Sequence, residues 1–323
     1  MQCIEVVDGG AALQLTERPK PPVGPGEVLI KVAFSGVNRA DLSQRAGRYP
    51  PPLGASDILG IEVAGEIVAV GKAAGPWSPG DKVCALVAGG GYADHCLAPV
   101  EQLAPVPPGA TLAGAAALLE AACTAWDNVW RRGRLQPAET LLVHGGGSGV
   151  GVAAIQIARA LGHRVVATAG TPEKVERCRR LGASLAIDYR AQDFVAETLA
   201  FTEGQGVDVI LDLVGGPYLG RNLQCLAPEG RLSVISVSGG PIGELDLALM
   251  MRRRLSVIAS TLRARSPEAK RQVITETVEV VWRLVARGEV VPVIDEVFPA
   301  ADAEAAHARM RASAHFGKLL LAW

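Results

Sequence analysis

The sequence predicts an α/β protein of two modules, a parallel sheet wound with crossover helices set into a smaller β-rich module. Three observations predict it. From Thr140 to about Ala259, apolar β-branched runs alternate with amphipathic helical segments, the signature of a parallel sheet with helical crossovers. Before that, Val/Ile-rich runs follow one another between Gly and Pro, which reads as short strands. Finally, 323 residues with 49% hydrophobic but only 4% aromatic side chains, 37 Gly and 21 Pro demand an aliphatic core and many turns.

Taken in order, strands are expected at Glu27 to Phe34, Gly60 to Val70, Lys82 to Val87 and His95 to Ala98. Around Pro105 to Ala122 a double proline gives way to Ala and Leu, a loop followed by helix, and a module boundary falls nearby. Strands then follow at Leu141 to His144, Val165 to Thr168, Leu185 to Ile187, Val207 to Asp212, Arg231 to Ser236 and Leu255 to Ala259. Helices at Val150 to Leu161, Pro172 to Leu181, Asp193 to Ala200 and Tyr218 to Leu226 lie between them. The tail offers an amphipathic helix, Pro267 to Arg287, and strands Pro292 to Phe298 and Gly317 to Trp323 around a helix Asp302 to Ser313. It is too small to stand alone and is expected to complete the first module, giving units 1–122 with 262–323, and 123–261.

His144-Gly-Gly-Gly-Ser-Gly-Val-Gly151 follows a strand and opens a helix, the context in which a glycine loop is informative. A pyrophosphate must approach backbone N–H groups at a positive helix terminus, and side chains would hold it away. In the frame beginning at Gly146, Ser148 stands where the strict GxGxxG pattern has its second glycine; a tight turn without ligand is the plain alternative. The second strand ends Val166-Ala-Thr-Ala-Gly-Thr171 with no acid before Glu173, so nothing there repels a 2′-phosphate. Lys174, Tyr189 and Arg190 are candidates to hold that phosphate, and Asp188 could oppose it. As a rival reading, Lys174 and Arg190 are solvated surface charges.

Other classes fall away. Lys plus Arg (32) against Asp plus Glu (33) gives a net charge of -1, which offers no basic footprint for nucleic acid or an anionic bilayer. The first residues lack a basic and an apolar region, so no secretory signal is expected, and a cytoplasmic location follows. The six cysteines show no metal-ligand or disulfide spacing and read as reduced, buried thiols, Cys123 lying near the expected cofactor segment. No GxSxG elbow, HExxH or Walker lysine is present. His144, His163, His95 and His307 receive no role.

Across almost its whole length the chain resembles the medium-chain dehydrogenase/reductase superfamily, specifically its zinc-free quinone oxidoreductase branch. The resemblance is carried by Gly36-Val-Asn-Arg-Ala-Asp41, Ile58-Leu-Gly-Ile-Glu-Val-Ala-Gly65, Pro79-Gly-Asp-Lys-Val83, Gly91-Tyr-Ala93, the glycine loop, Leu181-Gly-Ala183 and Gly317-Lys318. The stretch from Asn38 to Pro52 is most similar to the stress-inducible, NADPH-preferring members. The resemblance implies a GroES-like module formed from both chain ends around a Rossmann domain, with NADPH as cofactor. It further implies cofactor contacts from Thr124, Gly147, Ser148, Gly149, Val150, Gly170, Lys174, Tyr189, Val214, Ser236 and His315, the last standing where close relatives have Asn.

Zinc-dependent relatives place Cys where this chain has Asn38 and His where it has Ile61, and neither residue can replace thiolate or imidazole as a zinc ligand. No metal is expected. Without a Lewis acid to stabilise an alkoxide, the substrate should accept hydride readily by itself, as quinones and conjugated enones do. Tyr49 is the implied donor to the developing oxyanion and Asn38 a polar wall of the site, their plainer readings being a packed loop residue and a turn residue. Glu62 is either a structural ion-pair partner or a substrate contact. The expected reaction is hydride transfer from NADPH to a small-molecule quinone, ortho-quinone-like, in a homodimer or homotetramer. Reduction of α,β-unsaturated ketones or aldehydes is the first alternative, and an NADPH-binding redox sensor or crystallin-like structural protein the second.

Overall fold

A computed structural model describes all residues, Met1 to Trp323. The chain divides into two compact units, Met1–Glu120 with Leu262–Trp323, and Ala121–Thr261. The first unit opens with strands β1 (Gln2–Val7), β2 (Ala12–Glu17) and β3 (Glu27–Val37), helix α1 (Arg39–Arg45), then β4 (Glu62–Val70), β5 (Lys82–Leu86), β6 (His95–Pro99), β7 (Leu103–Pro105) and α2 (Leu112–Ala116). Helix α3 (Leu119–Trp126) continues into a π-helical turn, Asp127–Arg132.

The second unit then alternates β8 (Thr140–Val143), α4 (Gly149–Ala160), β9 (Arg164–Ala169), α5 (Pro172–Leu181), β10 (Leu185–Asp188), α6 (Phe194–Phe201), β11 (Val207–Asp212), α7 (Leu219–Cys225), β12 (Leu226–Val234), α8 (Leu247–Arg253) and β13 (Ser256–Ala259). Helix α9 (Pro267–Ala286), β14 (Ile294–Pro299), α10 (Ala303–Arg311) and β15 (Lys318–Ala322) return to the first unit.

Within the second unit every strand pair is parallel and the order is β10-β9-β8-β11-β12-β13, the doubly wound arrangement that reverses direction beside β8. The alternating sequence dictates this, because each helix must bury its apolar stripe on a strand face. Leu142, Val166, Ile187, Ile210 and Leu232, from five successive strands of that order, fall in one core cluster with Phe194 and Leu223 of the covering helices. The terminators are readable locally: Thr171 caps α5 by accepting from the Lys174 N–H, Pro172 fills its first position, and Gly182 ends it at φ 111°.

The first unit holds a seven-stranded mixed sheet, β14-β15-β3-β4-β5-β7, with β6 also paired to β3. Val28, Ile30, Val32, Val63, Ile67 and Val83 pack as one cluster, while Ile4, Val37, Leu59, Tyr92, Leu319 and Leu321 form another. The β14–β15 pair is parallel and β15–β3 antiparallel, so both ends of the chain build one sheet.

Three details depart from the sequence expectation. The β1–β2 hairpin is additional; its turn runs through Asp8, Gly9 and Gly10, all at positive φ, and its strands carry weak apolar alternation. The strand expected at Arg231 to Ser236 instead runs Leu226–Val234, its register shifting around Glu229, which sits at φ 65°. The apolar stretch Leu245 to Met251 contributes the short helix α8, capped by Asp246, with Leu247 and Met251 exposed. No helix is long and apolar enough to cross a membrane.

Candidate functional site

In the second unit the candidate cofactor residues gather along the C-terminal ends of the parallel strands. The loop after β8 turns at Gly145 (φ 68°), and the Gly146 N–H donates to the Thr168 carbonyl at 2.8 Å. A side chain at Gly146 would begin 2.9 Å from the Cys178 Sγ, and one at Gly151 only 2.3 Å from the Gly145 oxygen. These glycines are therefore required for the loop to close upon itself. Ser148 is the N-cap of α4, its Oγ accepting from the Gly151 N–H at 3.0 Å. That accounts for Ser in place of glycine: the hydroxyl satisfies one first-turn donor while the Gly149 and Val150 N–H groups keep no acceptor in the chain. Ser148, Gly149 and Val150 are only half-buried and Gly147 is buried. Such a cradle of open N–H groups at a helix N-terminus fits a pyrophosphate.

At the end of β9, Gly170 lies against the Tyr189 phenol; a Cβ there would be 2.7 Å from its oxygen. Tyr189 is held by its N–H to the Ala169 carbonyl and keeps an exposed ring, while Lys174 sits in the first turn of α5. Asp188 accepts from the Arg190 N–H at 3.0 Å, so its carboxylate closes this turn and Arg190 extends into solvent. Val214 and Ser236 follow β11 and β12 at the same edge of the sheet.

A buried polar chain supports these loops. His144, fully buried, donates from Nε2 to the Asn222 oxygen (2.7 Å) and accepts at Nδ1 from the Thr168 hydroxyl (3.0 Å). Asn222 donates to Asp212, whose other oxygen accepts from the Val214 N–H at 2.7 Å. Burial pushes the Asp212 carboxyl up to about 6 and His144 down to about 4. At neutral pH the imidazole is uncharged and the carboxylate organises the Val214–Gly215 turn. Sequence reasoning gave His144 no role, and a lone histidine before a glycine loop carries no local signal of such a partner.

Thr124 stands half-buried in α3, and its carbonyl accepts from Asn128 Nδ2 at 2.8 Å. The Asn128 oxygen accepts from the hydroxyls of Ser233 (3.1 Å) and Ser260 (2.6 Å). The π-helical turn thus places one buried amide where it ties the Thr124 segment to β12 and to the residue following β13. This residue too escaped sequence reading.

The first unit builds a separate polar centre. Asn38 caps α1 with Asp41, and its amide donates to Glu62 (2.8 Å) and the Gly36 carbonyl (3.3 Å) while its oxygen accepts from Lys318 Nζ at 2.7 Å. Lys318 also pairs with Glu62, and the other Glu62 oxygen accepts from the Glu120 N–H at 3.2 Å. Both hydrogens and the oxygen of the Asn38 amide are engaged, which makes Asn38 a fixed member of the triad rather than a donor to a ligand. Gly36 is obligatory beside it, because a Cβ would fall 2.1 Å from the Glu62 carboxylate. Burial alone would lower the Lys318 pKa, but the charges of Glu62, Glu120 and Asp41 hold it above its ordinary value.

Ile61 is buried beside Glu62, and no group of three or more His, Cys, Asp or Glu side chains is arranged to hold a metal ion. The residues present do not fit a catalytic zinc. Tyr49 is half-buried, with the Arg263 guanidinium 5.4 Å from its ring centroid and donating to its carbonyl at 3.3 Å. Arg263 also reaches the Ala88 carbonyl and the Gln44 side chain, both at 2.7 Å. It was not singled out from the sequence, where it reads as one arginine of a basic run. His315 is buried between α10 and β15 of the same unit. All six cysteines are free and buried, Cys123 among them.

Comparison with known proteins agrees with this architecture. Residues 24–108 match the alcohol dehydrogenase GroES-like domain and residues 149–279 the zinc-binding dehydrogenase model. The phthioceranic/hydroxyphthioceranic acid synthase of Mycobacterium tuberculosis is 35% identical over 313 residues, 96% of this chain, but the chain spans only 14% of that protein's length. The quinone oxidoreductase of Pseudomonas aeruginosa is 32% identical over 309 residues, covering 94% of this chain and 93% of its own. The Escherichia coli quinone oxidoreductase complexed with NADPH superposes with a TM-score of 0.89 at 28% identity, covering both chains fully.

Proposed function

Because the chain belongs to the medium-chain dehydrogenase/reductase superfamily, in its quinone oxidoreductase branch, we propose that it reduces quinones with NADPH, without zinc. NADPH, when bound, supplies the hydride. The open Gly149 and Val150 N–H groups at the Ser148-capped helix, above the buried Gly147, receive the pyrophosphate. Lys174 and Tyr189, beside Gly170, take the 2′-phosphate. Thr124, Val214 and Ser236 of the second unit hold the nicotinamide half.

The observation that carries the reading is the Lys318–Asn38–Glu62 triad, which engages Asn38, the residue standing where zinc-dependent relatives place a cysteine ligand, while Ile61 stands at the histidine position. An acceptor must then be electrophilic by itself, and a quinone is, since the added electrons render its ring aromatic. Tyr49 donates to the developing oxyanion, worth about 10²-fold in rate for one such donor. A second reading, reduction of an α,β-unsaturated ketone or aldehyde, draws support from the matches to acid-forming synthases. We further propose a cytoplasmic homodimer joined through the second unit, whose Leu247 and Met251 are exposed beside the edge strand β13.

NADPH oxidation followed with 1,2-naphthoquinone and with simple alkenals tests the assignment. Faster turnover of the quinone, falling in Tyr49→Phe, supports it. Equal or better alkenal rates overturn it in favour of the second reading, and NADPH binding with neither turnover leaves only a binding protein.

A further inference from the structure

A cation taken out of water is stable only where negative charge or strong dipoles replace its hydration. Five cationic side chains of this protein are more than nine-tenths buried: Arg45, Arg231, Arg263, Lys270 and Lys318. Three of them have a carboxylate partner, in the pairs Arg45–Glu304, Arg231–Glu139 and Lys318–Glu62. Arg263 and Lys270, in one stretch of the first unit, have none. The oxygens around Arg263 are all neutral, those of Ala88, Gln44 and Tyr49. Lys270 Nζ donates to the Gln102 side-chain oxygen alone, at 3.2 Å.

A guanidinium carries five N–H donors and an ammonium three. Three are used on Arg263 and one on Lys270, so two on each have no acceptor in the chain. The two cations also feel each other. Burial first, then the charge of Arg263, lowers Lys270 to about 8. Both stand near the start of α9, capped by Ser266, where the N–H groups of a twenty-residue helix add positive potential. No carboxylate meets either cation, the charge of Asp41 offsetting only part of the cost of burying Arg263, and the candidate donor Tyr49 lies under the Arg263 guanidinium.

We propose that Arg263 and Lys270 form an anion-receiving subsite, so that the preferred acceptors are planar conjugated carbonyl compounds bearing a carboxylate or sulfonate, or developing an oxyanion, at the end that meets these two cations. The substrate class rests on the reductase reading above; the anion subsite itself does not. Binding to the full chain without cofactor is measured by calorimetry with 2-naphthalenesulfonate and with uncharged 2-naphthol. Turnover is compared for 1,2-naphthoquinone-4-sulfonate and 1,2-naphthoquinone. Charge-assisted hydrogen bonds of this kind predict roughly a tenfold or larger advantage for the sulfonates in both assays. Lys270→Met should erase most of it and Lys270→Arg should keep it, while Arg263→Lys should reduce it.

Equal binding of the charged and neutral probes by the wild-type protein overturns the proposal, whatever the variants do, and so does an advantage that survives Lys270→Met and Arg263→Gln. Turnover of both quinones without charge preference sinks the subsite and leaves the reductase intact. Preferential sulfonate binding without turnover of either quinone upholds the subsite and sinks the reductase.

Discussion

The Lys318 ammonium donates to the Asn38 side-chain oxygen at 2.7 Å, joining the last strand of the sheet to the cap of the first helix through a buried charge. Glu62 completes the triad, so removing the ammonium would strand a carboxylate that has no access to water. Lys318→Met is expected to destabilise the protein by about 3–5 kcal/mol. Adding Glu62→Gln should recover a large part of the loss. Urea unfolding of the single and double variants checks this; a single variant with an unchanged midpoint would refute it.

His144 predicts a pH dependence. Its folded pKa, about 4, lies below the unfolded value of 6.5, because the buried ring resists protonation. As pH falls below 6.5 the unfolded chain takes up a proton that the folded chain refuses, so this stabilisation, complete above 6.5, is lost down to about pH 4. Relative to His144→Gln, the wild type should lose about 3 kcal/mol between pH 7.5 and 4. Parallel denaturant titrations at the two pH values decide it, and a constant difference between the proteins would contradict the assignment. Asp212, raised to about 6, works in the opposite direction: it favours the folded state as it becomes protonated below pH 6.

Asn128→Leu leaves the Thr124 carbonyl and two hydroxyls without their shared partner. The expected cost is about 1–3 kcal/mol, together with a fall in kcat/KM for NADPH oxidation. Asn128→Asp still accepts from Ser233 and Ser260 but cannot donate to Thr124, so it separates the two effects. Retention of full activity by Asn128→Asp would show that the Thr124 bond is structural only.

Cofactor choice should follow Lys174 and Tyr189. Their alanine variants are expected to lower the ratio of NADPH to NADH affinity about tenfold or more. Gly170→Val, which would collide with the Tyr189 phenol, should act in the same direction. Titrating protein fluorescence with each nucleotide measures the ratio, and an unchanged preference in all three variants would remove the 2′-phosphate from this corner.

Gly151→Ala probes the cradle. Its methyl would sit 2.3 Å from the Gly145 oxygen, so the loop must open and nucleotide binding should weaken by at least an order of magnitude. Calorimetry with NADPH would expose an error through wild-type affinity.

What could be read without coordinates was local. The β8–α4 glycine loop, the Thr171-Pro172 start of α5 and the strand–helix rhythm from Thr140 onward depend on spacing and capping within a few residues, and they fixed the doubly wound sheet and the helix N-terminus that follows its first strand. The weakly patterned β1–β2 hairpin escaped because its pairing carries little periodic signal.

The polar centres were decided by tertiary structure alone. Lys318 meets Glu62 across 256 positions because Leu319 registers with Val37 in β3 and Ser35 of that strand with Val63 in β4. The partners of His144, Asn128 and Arg263 likewise come from segments the sequence leaves far apart. Side-chain identity tells which groups need a partner, whereas strand register and helix packing, set by the sum of many apolar contacts, determine which partner they receive.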